Sequence, residues 1–224
     1  MENREIIPVP EEGNVDIAQR LVKTGLNSIP AIGGLLAELV DLCIQPRYQK
    51  KMEEWCHSVN EIMQSLLDNG VTKEQIFHSE EFSFLFMKSS RLYLENIEAY
   101  KKPLFQNALR SSVLSEAPFD KKYIFLGLIE KLTEKHLMIL KDIVDNEDKY
   151  ESGQQLYKTE LEEQLAGKYT EGDQQYLKLL VSELEDSHLI NYGATEPKVI
   201  KNETRQWHMV PSRICKEFVQ YLNL

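Results

Sequence analysis

Two Glu-x-x-His steps, Glu54 with His57 and Glu185 with His188, are the first residues in this chain whose spacing could do chemistry. On a helix, residues three apart share a face, and this pairing is the step that di-iron carboxylate bundles use. Such a centre also needs two more inward carboxylates from facing helices. Neither pair lies on an apolar stripe: Glu54 and His57 flank the one through Cys56 and Val59, and the second pair closes a helix. Both are therefore expected on solvated faces, with no metal between them. Gly33 and Gly34 lack a preceding strand and a following Lys-Ser or Lys-Thr, so no phosphate loop is expected there. His136 follows a helix start, where capping or packing is the expected role and not that of a base. Cys43, Cys56 and Cys215 show neither metal-ligand spacing nor a disulfide pattern. Their apolar neighbours point to core positions in a reducing, cytoplasmic compartment. The pairs Ser89–Ser90 and Ser111–Ser112 read as helix surface. Without a nucleophile elbow, a paired acid and base or a glycine-rich cradle, the expectation is a non-enzyme with no cofactor.

The elements that would carry these residues are mainly helical, with one small β-hairpin. From Thr133, Leu137, Leu140, Ile143 and Val144 share one helical face, and Glu134 is an acid in the first turn. A second helix is expected from about Gln154 to Ala166, closed by Gly167. The third starts near Asp173 and carries the stripe Leu177, Leu180, Val181, Leu184. A short strand over 189–192, a polar loop from Gly193 to Thr204 and a return strand through Trp207 and Met209 follow. A last helix with Ile214, Phe218, Val219, Tyr221 and Leu222 ends the chain, although Ser212 and Arg213 stand at a turn where glycine is commoner. This order predicts a winged-helix-like domain over 119–224.

Residues 15–118 predict a helical bundle, after a polar, proline-broken leader at 1–14 that lacks the basic start and apolar run of a signal peptide. Met52, Trp55, Cys56, Val59, Ile62, Met63 and Leu66 mark one wide buried stripe, which Asn69 and Gly70 stop. Further helices carry Phe82, Leu85, Phe86, Leu92, Tyr93 and Ile97, then Leu104, Phe105, Ala108, Leu109 and Val113. The apolar run from Tyr123 to Ile129 is expected to be buried by both regions, with a boundary near Ala117 and Pro118. The run from Leu26 to Ile44 approaches the length of a membrane span, about 20 apolar residues. Glu38 and Asp41 within it would each cost about 2.5–3.5 kcal/mol at a bilayer midplane. A core helix is the simpler reading, and conditional insertion of 26–44 by a membrane-active effector stands as an alternative.

The phrase from Ile29 to Glu38, followed by Pro46, Arg47 and a long amphipathic helix, resembles the opening of a widespread set of bacterial proteins to which no activity is assigned. Their later marker is similar to Leu132, Thr133, His136, Leu137, Ile139 and Leu140 here, and a winged-helix-like end follows. The resemblance implies a bacterial, intracellular protein. It supplies no catalytic residue.

Charge and fold then set the functional alternatives. In a DNA-reading winged helix the third helix enters the major groove, which would present Gln174, Gln175, Lys178 and Ser182 to the bases. Phosphate contacts need clustered cations. The chain carries a net charge of -10, and Lys198, Lys201 and Arg205 in the wing are offset by Glu196 and Glu203, a net of +1. The same helix bears Glu183, Glu185 and Asp186, an acidic set suited to a protein partner. A non-catalytic regulatory or adaptor protein is therefore the leading expectation, with a DNA-binding regulator the alternative and a homodimer compatible with either.

Overall fold

The computed structural model describes residues 46–77, 79–147, 158–194 and 207–224. The apolar run at 26–44 and the expected leader lie outside these residues. The elements are α1 (Pro46–Asp68), α2 (Lys73–Phe77), α3 (Glu80–Glu95), α4 (Lys101–Leu114), α5 (Phe119–Lys131), α6 (Glu134–Asp145), α7 (Lys158–Tyr169), α8 (Gln174–Asp186), β1 (Ile190–Ala194), β2 (Trp207–Pro211) and α9 (Arg213–Leu222). The fold is mainly helical, with a small two-stranded antiparallel sheet near the C-terminus. Two compact units divide between Glu130 and Lys131, so α5 groups with the helices before it, although the apolar pattern suggested a break ahead of that helix.

In the first unit the stripe of α1 is buried throughout, and Trp55 is fully enclosed. Its indole Nε1–H donates to Ser90 Oγ at 2.8 Å, Ser90 donates onward to the Phe86 carbonyl at 2.7 Å, and the Tyr93 ring packs at 4.5 Å between centroids. Ser89, Ser90 and Ser112 are consequently core residues and not the surface residues their polarity suggests. A hydroxyl can satisfy itself on the carbonyl one turn back, which lets a short polar side chain enter a helix–helix contact. Gly70 ends α1 with φ +87°, a conformation that favours glycine.

Three lysines stop the helices of this unit. Lys51 Nζ donates to the carbonyls of Leu94 and Asn96 at the end of α3 (3.1 and 2.7 Å), Lys122 Nζ to Ser112 at the end of α4 (2.9 Å), and Lys101 Nζ to Glu130 at the end of α5 (2.8 Å). The last carbonyls of a helix have no partner within it and lie at the negative end of its dipole, so an ammonium from a neighbouring helix meets both needs. Lys101 is also paired with Glu98 at 2.8 Å. Burial pushes the Lys122 ammonium below its ordinary range.

One apolar expectation fails here. Ile97 lies beyond the end of α3 and is exposed. Within the first unit the 123–129 run is buried on one side, with Tyr123 and Ile124 on the other. In α5 the inward residues are Lys122, Phe125, Leu126 and Ile129, so an amphipathic helix is hidden inside an apolar stretch of sequence.

The second unit runs helix, helix, helix, strand, strand, helix. Leu137, Leu140 and Ile143 of α6 and Leu177, Leu180, Val181 and Leu184 of α8 enter its core, as their spacing predicts. Helix α7 continues through Gly167 to Tyr169, and the chain turns at Glu171 and Gly172 (φ +54° and +90°). Gly172 N–H reaches back to the Ala166 carbonyl at 2.9 Å, so the left-handed closing residue is the later glycine. The hairpin pairs Ile190 with Pro211, Tyr192 with Met209 and Ala194 with Trp207, and Gly193 belongs to the ladder and not the loop. Ser212 does the work of the commoner glycine turn. Its Oγ accepts from Cys215 N–H at 3.1 Å and donates to the His188 carbonyl at 2.7 Å, which fixes the start of α9.

Candidate interaction face of helix α8

Asp173 starts α8. Its Oδ1 accepts from the Gln175 and Tyr176 amides at 3.0 and 2.9 Å, which satisfies two donors of the first turn. With the apolar stripe turned into the core, Gln174, Gln175, Lys178, Leu179, Ser182 and Asp186 are exposed, and Gln175, Leu179, Ser182 and Asp186 lie on the side opposite the stripe, with Lys178 on its flank and Gln174 nearer the stripe itself. Lys198, Lys201 and Arg205 lie outside the described residues.

The three acids of α8 do not form one cluster. At about 100° per residue, Glu183 and Glu185 are about 160° apart around the helix, and their surroundings differ accordingly. Glu183 lies toward α6, its Oε2 3.3 Å from His136 Nε2. Glu185 lines a pocket between α8, α7 and β2. Asp186 points outward between them.

His136 is a built-in structural group. It is 1% exposed, and its Nδ1 accepts from the Thr133 amide at 3.1 Å and lies 2.8 Å from the Thr133 hydroxyl. This is the reciprocal arm of a capping box with histidine in the usual Glu or Gln position. An accepting Nδ1 puts the proton of the neutral ring on Nε2, facing Glu183. The approach is too poorly aligned for a hydrogen bond, which leaves Nε2 without one. Burial lowers the His136 pKa below its ordinary value, opposed by Glu183 and assisted by Lys131.

The pocket beside α8 has a volume of about 110 Å³. Leu165, Leu177, Val181 and Met209 make it apolar, and Glu162, Lys178, Ser182 and Glu185 supply its polar groups. Lys178 Nζ stands 3.5 Å from Glu162 Oε2, whose side chain is only 9% exposed. The single basic residue of α8 is therefore already paired with a carboxylate from α7.

The other candidate groups are accounted for separately. Glu54 is hydrogen-bonded by Lys102 at 2.8 Å, and this contact holds its carboxyl below and the ammonium above their usual ranges. His57 pairs along its own helix with Glu61 at 3.2 Å, both exposed. Glu54 and His57 thus have different partners. His188 is exposed at a left-handed turn (φ +56°). Among the described residues no three His, Cys, Asp or Glu side chains gather as a metal site. Cys56 and Cys215 are buried thiols outside any disulfide, and burial pushes Cys215 up to about 12, far from a reactive thiolate. No helix among the described residues is long and apolar enough to cross a membrane.

Sequence reasoning missed Leu179, 55% exposed near the middle of the outward face of α8. Its signal was present, as an apolar residue off the core stripe. Glu162 beside Lys178 had no such signal, because the two come from different helices. Comparison of the chain with models of protein families, with curated proteins and with solved structures finds no match.

Proposed function

We propose that the chain is a non-catalytic regulatory or adaptor protein whose C-terminal unit, winged-helix-like in its element order, docks a protein on the outward face of α8. The carrying observation is Leu179: a large apolar side chain exposed near the centre of the helix face that a DNA reader would press into a groove. Beside it, Lys178 is engaged by Glu162, while Glu185 and Asp186 keep the end of the helix acidic. A phosphate backbone is repelled by such a surface, and a basic protein partner is steered to it. Buried cysteine thiols fit a cytoplasmic setting.

The test compares wild type with Leu179→Ser and with the double reversal Glu185→Lys, Asp186→Lys, using pull-down from the native host. Glu183 is left untouched because it faces His136. Both variants are expected to lose the partner while retaining their helical circular dichroism. Mobility-shift assays with pooled genomic fragments at low salt are expected to show no selective binding. Tight, salt-sensitive, sequence-selective binding that Gln175→Ala with Lys178→Glu abolishes would replace this reading with a DNA-binding regulator.

A further inference from the structure

We infer that the first turn of α6 is a proton switch, in which a proton taken up by His136 releases the Thr133 amide and draws Glu183 of α8 toward the ring. The position of the one basic lone pair dictates this. In the neutral ring Nε2 carries the hydrogen, and the lone pair of Nδ1 already accepts from the Thr133 amide at 3.1 Å. A second proton, taken from water, must go to Nδ1, and a protonated Nδ1 donates and cannot accept. The Thr133 amide then loses its acceptor. The Thr133 hydroxyl oxygen, 2.8 Å from Nδ1, receives the new N–H instead once its own hydrogen rotates away. The reciprocal arm of the capping box is thereby exchanged for a side-chain bond.

The far edge of the ring responds to the same proton. Nε2 is buried without a hydrogen bond, and Glu183 Oε2 stands 3.3 Å from it. An imidazolium attracts that carboxylate much more strongly than the neutral ring does. His136 is held by packing at 1% exposure, whereas the Glu183 side chain is 37% exposed, so the carboxylate is the group with room to realign. Of the charged groups facing the ring, Glu183 from α8 favours the proton and Lys131 from the end of α5 opposes it. Among the described residues α7, α9 and β2, which also pack on α6, set no charged group against the ring. Burial holds the His136 pKa below its ordinary value of 6.5, which puts the switch on the acid side of that value.

The experiment follows the full chain, labelled with ¹⁵N, by NMR from about pH 7.5 to about pH 5, the range in which a histidine changes charge. Histidine ring nitrogens and backbone amides are read together, and His136→Gln identifies the ring signals. At neutral pH the His136 ring is expected as the Nε2–H tautomer. On acidification it is expected to titrate below about pH 6.5, and the Thr133 amide proton to move upfield with the same midpoint while far-UV circular dichroism holds. Glu183→Gln is expected to lower that midpoint by about 0.2–0.7 of a pH unit. Thr133→Val, which removes the oxygen that receives the new Nδ1–H, is expected to lower it as well. An Nδ1–H tautomer at neutral pH, a Thr133 amide indifferent to the titration, or a midpoint unmoved in either variant would overturn the inference. So would a ring that takes up its proton only as the helical signal is lost, since the event would then be unfolding and not a local exchange of bonds.

Discussion

Replacing Trp55 tests the packing of the first unit at its most enclosed point. The indole is 0% exposed, is hydrogen-bonded at 2.8 Å and packs 4.5 Å from Tyr93. Truncating such a side chain to alanine removes its transfer energy and leaves a cavity that the neighbours fill only partly, together costing about 3–5 kcal/mol. The hydrogen bond adds little to this. Ser90 still donates to the Phe86 carbonyl, so no buried donor is stranded, and a neutral bond contributes a net of about 1 kcal/mol. Trp55→Phe, which keeps most of the ring, is accordingly expected to cost about 1–2 kcal/mol. For a domain of about 100 residues each kcal/mol moves the melting midpoint by about 4–8 °C. Trp55→Ala should therefore lower it by about 12–40 °C, and Trp55→Phe by about 4–16 °C. Far-UV circular dichroism melts supply the midpoints. Trp207 is the chain's other tryptophan, so a Trp207→Phe background leaves Trp55 as the sole indole fluorophore and reports whether it is shielded before unfolding. A shift of less than a degree or two for Trp55→Ala would refute both the enclosed stripe and the bundle built on it.

Acid should weaken the second unit through His136. Its folded pKa is depressed chiefly by burial, so below about pH 6.5 the unfolded chain takes up a proton that the folded one resists. Stability is then complete above about pH 6.5 and falls as the pH drops toward the folded pKa. His136→Gln, whose side-chain carbonyl can still accept from the Thr133 amide, should flatten that dependence; an identical slope in urea midpoints between about pH 7.5 and about 5.5 would contradict it. Lys51→Met should cost about 1–2 kcal/mol by uncovering the carbonyls that end α3, with partial recovery in Lys51→Arg, both read from chemical denaturation. In a Cys43→Ser background, Cys56 and Cys215 should resist a thiol-exchange reagent at about pH 8 until denaturant is added. Rapid modification of the folded protein would contradict their burial.

What the sequence determined by itself was local. The three-and-four spacing from Met52 to Leu66 and from Leu177 to Leu184 identified buried helix faces, because a helix returns those positions to one side whatever surrounds it. Thr133 and Asp173 marked helix starts for the same kind of reason, since a cap is made within its own first turn. The strands near Ile190 and Trp207 were legible from composition and punctuation. Their register was not. Tertiary structure decided the partners. It set Glu183 beside His136 and Glu185 beside the pocket, although two residues apart in sequence they read as one acidic patch. It placed Glu162 beside Lys178, Ser90 beneath Trp55, and lysines over the ends of neighbouring helices. The same packing left Leu179 exposed and buried Lys122. A helix's own geometry settles which residues share a face, but what that face meets depends on chain segments brought close by the packing of the whole unit, and burial, pairing and charge at the α8 face all follow from that meeting.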